Sequence, residues 1–147
     1  MIGVAQFGIA IGALGIVLTF MSLFPGVIGF SNPTEGIGIV QFAGILSGFS
    51  LLILGALMYV KFTFYDKRGA VLAQQIGIRL ALTGLVLAGM VGLADVFGFG
   101  SHPRTENSDV FFGSLQAVGM LAGFLIASIG VAVYALTGHP PNELPKT

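Results

Sequence analysis

The sequence predicts an all-α membrane protein, a four-transmembrane-helix bundle made of two tandem helical hairpins in a parallel pseudo-two-fold repeat. Three observations lead there. Four apolar stretches have membrane-spanning length, only 8% of residues are charged at a mean hydropathy of +0.98, and the first half of the chain matches the second. A water-soluble domain carries about a quarter charged residues, because solvent must wet its surface. A chain this poor in charge must turn most of its surface to hydrocarbon.

Roughly 20 apolar residues of helix cross the hydrocarbon core of a bilayer. Stretches of that length run over 2–24, 38–61, 72–97 and 111–136. The first lacks a positively charged leader and exceeds the apolar core of a signal peptide, so it is expected to persist as a span. It ends at Pro25-Gly26, a helix-breaking pair. Polar turns at 31–35, 65–69 and 101–109 separate the later spans, and three prolines make 138–147 an extended tail. The expected organisation is one four-helix domain over 1–137, with repeat 1 at about 2–64 and repeat 2 at about 71–136.

Orientation follows from where the basic residues fall. With four spans, Lys61, Lys67, Arg68 and Lys146 share one side, Arg79 lies near it, and Arg104 stands alone on the other. A multi-pass protein with both termini, and hence the tail, in the cytoplasm is expected. Tyr59, Tyr65 and Tyr134 mark the same boundary as an aromatic belt would.

Shifted by 69 positions, Gln6, Gly8, Ile9, Gly15, Val17, Leu18 and Met21 fall on identical residues of the third span, and Val27, Gly29 and Phe30 continue the match. Shifted by 75, Gln41, Gly44, Leu46, Gly48, Phe49, Gly55 and Tyr59 fall on identical residues of the fourth. Glycine, glutamine and aromatic positions dominate these identities, which interchangeable aliphatics would not produce. Copies that each cross twice have the same orientation, so an axis along the membrane normal would relate them.

Lipid supplies no hydrophobic force between helices, so small residues that let backbones approach must hold a bundle together. Gly8 with Gly12, Gly44 with Gly48, Gly77 with Ala81, Gly84 with Ala88, and Gly119 with Gly123 form small pairs four apart, expected to face other helices. Gln6 and Gln75 near the inner boundary, and Gln41 and Gln116 near the outer, are expected either to cross-link helices or to line shallow polar vestibules, with Gln74 beside the former. Arg79 can snorkel to the interface or meet a lipid phosphate or partner carboxylate. Asp95, His102 and Arg104 form the best candidate for an exposed lipid or partner contact.

The excluded chemistry is as informative. Zero net charge gives no field for nucleic acid, and zero cysteines remove disulfides and thiolate chemistry. No metal site and no cofactor is expected: His102 and His139 fall on opposite sides, and no span contains a histidine. The layout resembles, in outline only, the tandem-hairpin rotor proteolipids of rotary ATPases. Their mid-helix acid is lacking, and the second and fourth spans offer only Ser50 and Ser128 centrally. No catalytic residues are legible, so an enzyme is not expected. The expectation is an accessory or scaffold subunit of a larger membrane assembly, whose partners are lipids and other membrane subunits or itself. The alternatives are an oligomeric pore or carrier for a small neutral or lipophilic solute, and a lipid- or quinone-binding protein with Phe20, Phe24, Phe97 and Phe112 about its pocket.

Overall fold

A computed structural model describes residues 2–29, 38–65, 69–94, 97–98 and 113–138. The helices are α1 (Ile2–Leu23), α2 (Ile39–Phe64), α3 (Leu72–Gly92) and α4 (Ser114–Leu136), with a short 3-10 turn at Pro25–Ile28 after α1. All four are long and apolar enough to cross a membrane, which suggests a multi-pass membrane protein. Even in α4, the most enclosed, only 33% of the spanning window is buried within the protein. Most of the apolar surface therefore has no protein cover in a single chain.

Local chemistry sets the helix ends. Pro25 has no N–H to continue α1 and sits at the first position of the 3-10 turn, which Gly29 closes at φ 78°. α2 runs to Phe64, beyond the expected end at 61, because Lys61 in its last turn complements the negative end of the helix dipole. α3 stops at Gly92, short of the expected 97. Two glycines, Gly89 and Gly92, weaken its last turn, which closes through hydrogen bonds from Leu93 N to Gly89 O and from Ala94 N to Val91 O. α4 starts at Ser114 rather than 111, after Gly113 in extended conformation.

The helices form two tightly packed hairpins, α1 on α2 and α3 on α4. Between hairpins the contact is much smaller and runs from α2 to both α3 and α4, while α1 packs substantially on α2 alone. The bundle is therefore open on the α1 side.

Within each hairpin the contact is backbone on backbone. A Cβ on Gly15 would stand 2.5 Å from the Gly48 carbonyl oxygen and 2.5 Å from Leu52 N, and one on Gly48 would stand 2.6 Å from Thr19 N. A Cβ on Gly8 would be 2.9 Å from Tyr59 N. In the second hairpin, a Cβ on Gly84 would be 2.5 Å from Gly123 O, one on Gly123 2.6 Å from Ala88 N, and one on Gly77 2.7 Å from Tyr134 N. No side chain fits between these helices. The closest glycines recur at intervals of seven, Gly8 with Gly15 and Gly48 with Gly55, then Gly77 with Gly84 and Gly123 with Gly130. A seven-residue period is two turns, which keeps one seam facing its partner along the whole helix.

Side chains, not glycines, join the hairpins. Phe42 and Ile45 of α2 are buried with Ala88 of α3 and with Met120 and Phe124 of α4, and Ile53 is buried with Ala81 and Ala127. The Phe49 and Phe124 rings stack at a centroid distance of 4.0 Å. This order places α2 parallel to α4 and antiparallel to α3. The Phe42 ring lies where a Cβ on Gly92 would be, so a large knob on α2 meets a gap on α3.

Adding one methyl group separates the seam from ordinary helix propensity. Gly84→Ala and Gly15→Ala should lower stability in detergent by about 1–3 kcal/mol through overpacking. Gly89→Ala, whose Cβ would meet nothing within 4 Å, should be neutral or stabilising by up to about 1 kcal/mol. Thermal unfolding followed by circular dichroism checks the pair; equal effects at Gly84 and Gly89 would remove the seam as the source of hairpin stability.

Candidate functional site

Several polar side chains of the described spans stand at helix ends, where Gln74, Gln116, Tyr65 and Thr137 meet backbone groups left over by helix geometry. The first four N–H and last four C=O groups of any helix lack partners within it. Gln116 is the third residue of α4, and its Oε1 accepts from Gly113 N at 2.7 Å. Gln74 stands at the third residue of α3, and its Oε1 accepts from Val71 N at 3.2 Å. Gln41 occupies the same third position in α2, after Gly38 as Gly113 precedes α4. A glutamine reaching back from the third position is half of a capping box.

Gln74 also works across helices. It is 2% exposed, and its Nε2 donates to Tyr134 O in α4 at 3.4 Å. The Tyr65 hydroxyl at the end of α2 donates to Ala135 O at 2.8 Å. Thr137 N and Oγ1 both donate to Val133 O. Three successive carbonyls in the last turn of α4 are thus met by Thr137, by α3 and by the end of α2. The Tyr65 and Tyr134 rings meet edge to face at 6.0 Å, and the Tyr65 ring fills the space beside Gly138. Mid-span hydroxyls are consumed locally: Thr19, Ser50 and Ser128 donate to the carbonyls of Gly15, Leu46 and Phe124, four residues back.

The residues singled out in the sequence are distributed as follows. Gly8, Gly48, Gly77, Gly84 and Gly123 lie on backbone-to-backbone seams, Gly12 lies against Gly55, Gly44 meets the Ser22 side chain, and Gly119 meets Val91. Gly15, Gly55 and Gly130 belong to the same seams but have no glycine or alanine four positions away, and a period of seven finds all three; Gly92, which continues the Gly84 and Ala88 stripe at the same spacing, meets the Phe42 ring instead. Gln116 is buried and Gln41 half-buried, whereas Gln6 and Gln75 are exposed on the outer surface. The interior glutamine at the start of α3 is Gln74, and Gln75, about 100° further round, donates to Ala70 O at 3.2 Å. Arg79 is exposed. Asp95, His102 and Arg104 lie outside the described residues, as do Phe112 and the tail from 139 onward. Phe20 and Phe24 are exposed and tilted against each other at 5.1 Å, and Phe97 is exposed. Among the described residues, no group of three or more His, Asp or Glu could hold a metal.

Two features remain without a partner. Gln116 is 6% exposed, and its Nε2 meets no acceptor among the described residues. An apolar groove of about 250 Å³ runs along the first hairpin between Ile9, Ala13 and Ile16 of α1 and Leu52, Ala56 and Tyr59 of α2.

These features define a class: an all-helical protein whose described residues form four helices long and apolar enough to cross a membrane, built on glycine seams and capped helix ends. Compared with protein-family models, curated proteins and solved structures, the chain matches none.

The two buried glutamines should respond differently to removal of the amide. Gln74→Leu strands Val71 N and Tyr134 O and should cost about 1–3 kcal/mol. Gln116→Leu strands Gly113 N but also removes the unpaired Nε2, so its loss should be smaller by about 1 kcal/mol. Detergent unfolding of the two variants side by side checks the order.

Proposed function

We propose that this protein is a non-enzymatic membrane scaffold, a subunit that offers lipid-facing helices to other membrane proteins. The observation that carries the reading is the use made of polar groups. The buried Gln74 and Gln116 and the hydroxyls of Thr19, Ser50 and Ser128 serve backbone groups at helix ends or one turn back, while the exposed surface of the spans is mainly aliphatic and aromatic, with Gln6, Gln75 and Arg79 among its few large polar side chains. That division suits a part whose work is packing.

Within this reading the two hairpins are tandem copies. The seam contacts support it: Gly8 with Gly55 and Tyr59 corresponds to Gly77 with Gly130 and Tyr134, and Gly15 with Gly48 corresponds to Gly84 with Gly123. Each pair is displaced by the same 69 and 75 positions that align the sequence. The Phe49–Phe124 stack joins residues equivalent under the 75-residue shift, as a pseudo-two-fold axis along the membrane normal requires. The Lys61, Lys67 and Arg68 cluster supports cytoplasmic termini.

The unpaired Gln116 Nε2 favours one second reading, a pore or carrier for a small neutral solute entering beside Gln116 and Gln41. Purification in mild detergent followed by native mass spectrometry separates the readings. Stable association with other membrane subunits is the expected result; a bare monomer retaining a quinone or a specific lipid would replace the scaffold with a binding protein. For the pore, solute flux into liposomes should fall at least tenfold in Gln41→Leu plus Gln116→Leu, and flux unchanged in that variant removes the Gln pathway.

A further inference from the structure

The second hairpin shows what fills a groove of this kind. Between α3 and α4, Ala81, Leu85, Ala127 and Val131 receive the α2 ridge of Phe49, Ile53 and Leu57, spaced four apart. Displaced by 69 and 75 positions, those four groove residues are Gly12, Ile16, Leu52 and Ala56, and all four line the open groove of the first hairpin. One surface is built twice and filled once.

We infer that the α1/α2 groove receives α4 of a second copy of this chain. α4 carries an outward ridge of Leu121, Leu125 and Ile129, with the spacing of the α2 ridge and exposures of 58%, 57% and 54%. The depths agree. Ile53 packs at the level of Ala127 within one chain, so in a neighbour inserted at the same height the Leu125–Ile129 segment stands beside Leu52 and Ala56. The directions agree as well, because α4 of the neighbour would run parallel to α2, as α2 does to α4 inside the chain. Groove and ridge lie on different helices, so the contact is head to tail and each copy offers one of each. The inference rests on the scaffold reading and names the chain itself as one of its partners.

A chain without cysteine allows a direct test. Ala13→Cys places a thiol in the groove and Leu125→Cys places one on the ridge, both at exposed positions away from the seams. In liposomes under mild oxidation, the double variant should give a ladder of dimer, trimer and larger species, and a mixture of the two single variants should give dimer only. Each single variant alone should stay monomeric. A disulfide within one chain does not compete, since α1 and α4 make no substantial contact. Adding Ala56→Leu to fill the groove should cut the ladder at least fivefold while leaving the unfolding temperature in place. If Ala13→Cys alone dimerises as well as the double variant, the groove pairs with itself and the inference fails. It also fails if ladder yield falls in proportion as lipid dilutes the protein, which would leave acyl chains as the occupant. Association with other subunits in the native mass spectrum, without the ladder, overturns this inference and leaves the scaffold reading standing.

Discussion

Everything in this fold depends on two helix backbones touching without side chains between them. Burying apolar surface against a neighbour gains little when the alternative is a lipid chain of the same polarity, so association must come from closer packing than lipid can give. At Gly15, Gly48, Gly84 and Gly123 a Cβ would stand only 2.5–2.6 Å from a backbone atom of the opposite helix, closer than any side chain tolerates. Approach at that range brings the Cα–H groups of one helix against the carbonyls of the next, a weak attraction that repeats along the seam. Glycine costs helix propensity in water, but in hydrocarbon an unfolded backbone has nowhere to place its hydrogen bonds, and that cost loses its weight.

The contact between hairpins follows different rules. There Phe42, Phe49 and Ile53 meet Ala81, Ala88, Ala127 and Gly92, a ridge of large side chains set into small ones. Such packing is smaller in extent than the seams and leaves the hairpins further apart. The arrangement makes each hairpin a unit held by its own seam, joined to the other mainly through α2. A hydrogen bond reinforces the docking at the C-terminal end of α4, where Tyr65 from α2 donates to Ala135 O, next to the Tyr134 carbonyl that Gln74 of α3 meets within the second hairpin. The same two side chains therefore fix the height of α2 and α3 against α4.

Four spans were legible because length and apolarity depend on composition alone, and they agree with the helices to within a few residues except at the end of α3. There the mainly apolar stretch 91–97 reads as span despite Asp95, but Gly89 and Gly92 let the chain turn at Leu93 and Ala94. The glycine stripes were legible as small pairs four apart; the seven-residue spacing is also written in each helix, but which glycines lie on the seam is decided by how the two helices pack. Glutamines were visible as anomalies in apolar helices, yet their chemistry was not. Counting three residues from Gly38, Val71 and Gly113 would have identified Gln41, Gln74 and Gln116 as belonging to helix starts. The inward face of Gln74 over Gln75 was out of reach, since adjacent positions differ only in a rotation that the packing of α3 on α4 determines.

Side-chain size explains why the two hairpins end in unequal surroundings. α2 carries Phe42 where α4 carries Ala117, and it carries Ile53 and Leu57 where α4 carries Ser128 and Ala132. The larger ridge can reach into the opposite groove; the smaller one cannot reach back to α1. A pair of copies with identical faces would close symmetrically, each filling the groove of the other, and would leave nothing to offer. With large side chains on the α2 ridge and small ones at Ala117, Ser128 and Ala132 of α4, the α1/α2 groove is left open at the edge of the bundle. An apolar groove open to lipid costs little, because acyl chains can line it, so no stability penalty forces its closure within the chain. The asymmetry is thus cheap for a protein surrounded by hydrocarbon, whereas in water the same exposed groove would be a liability.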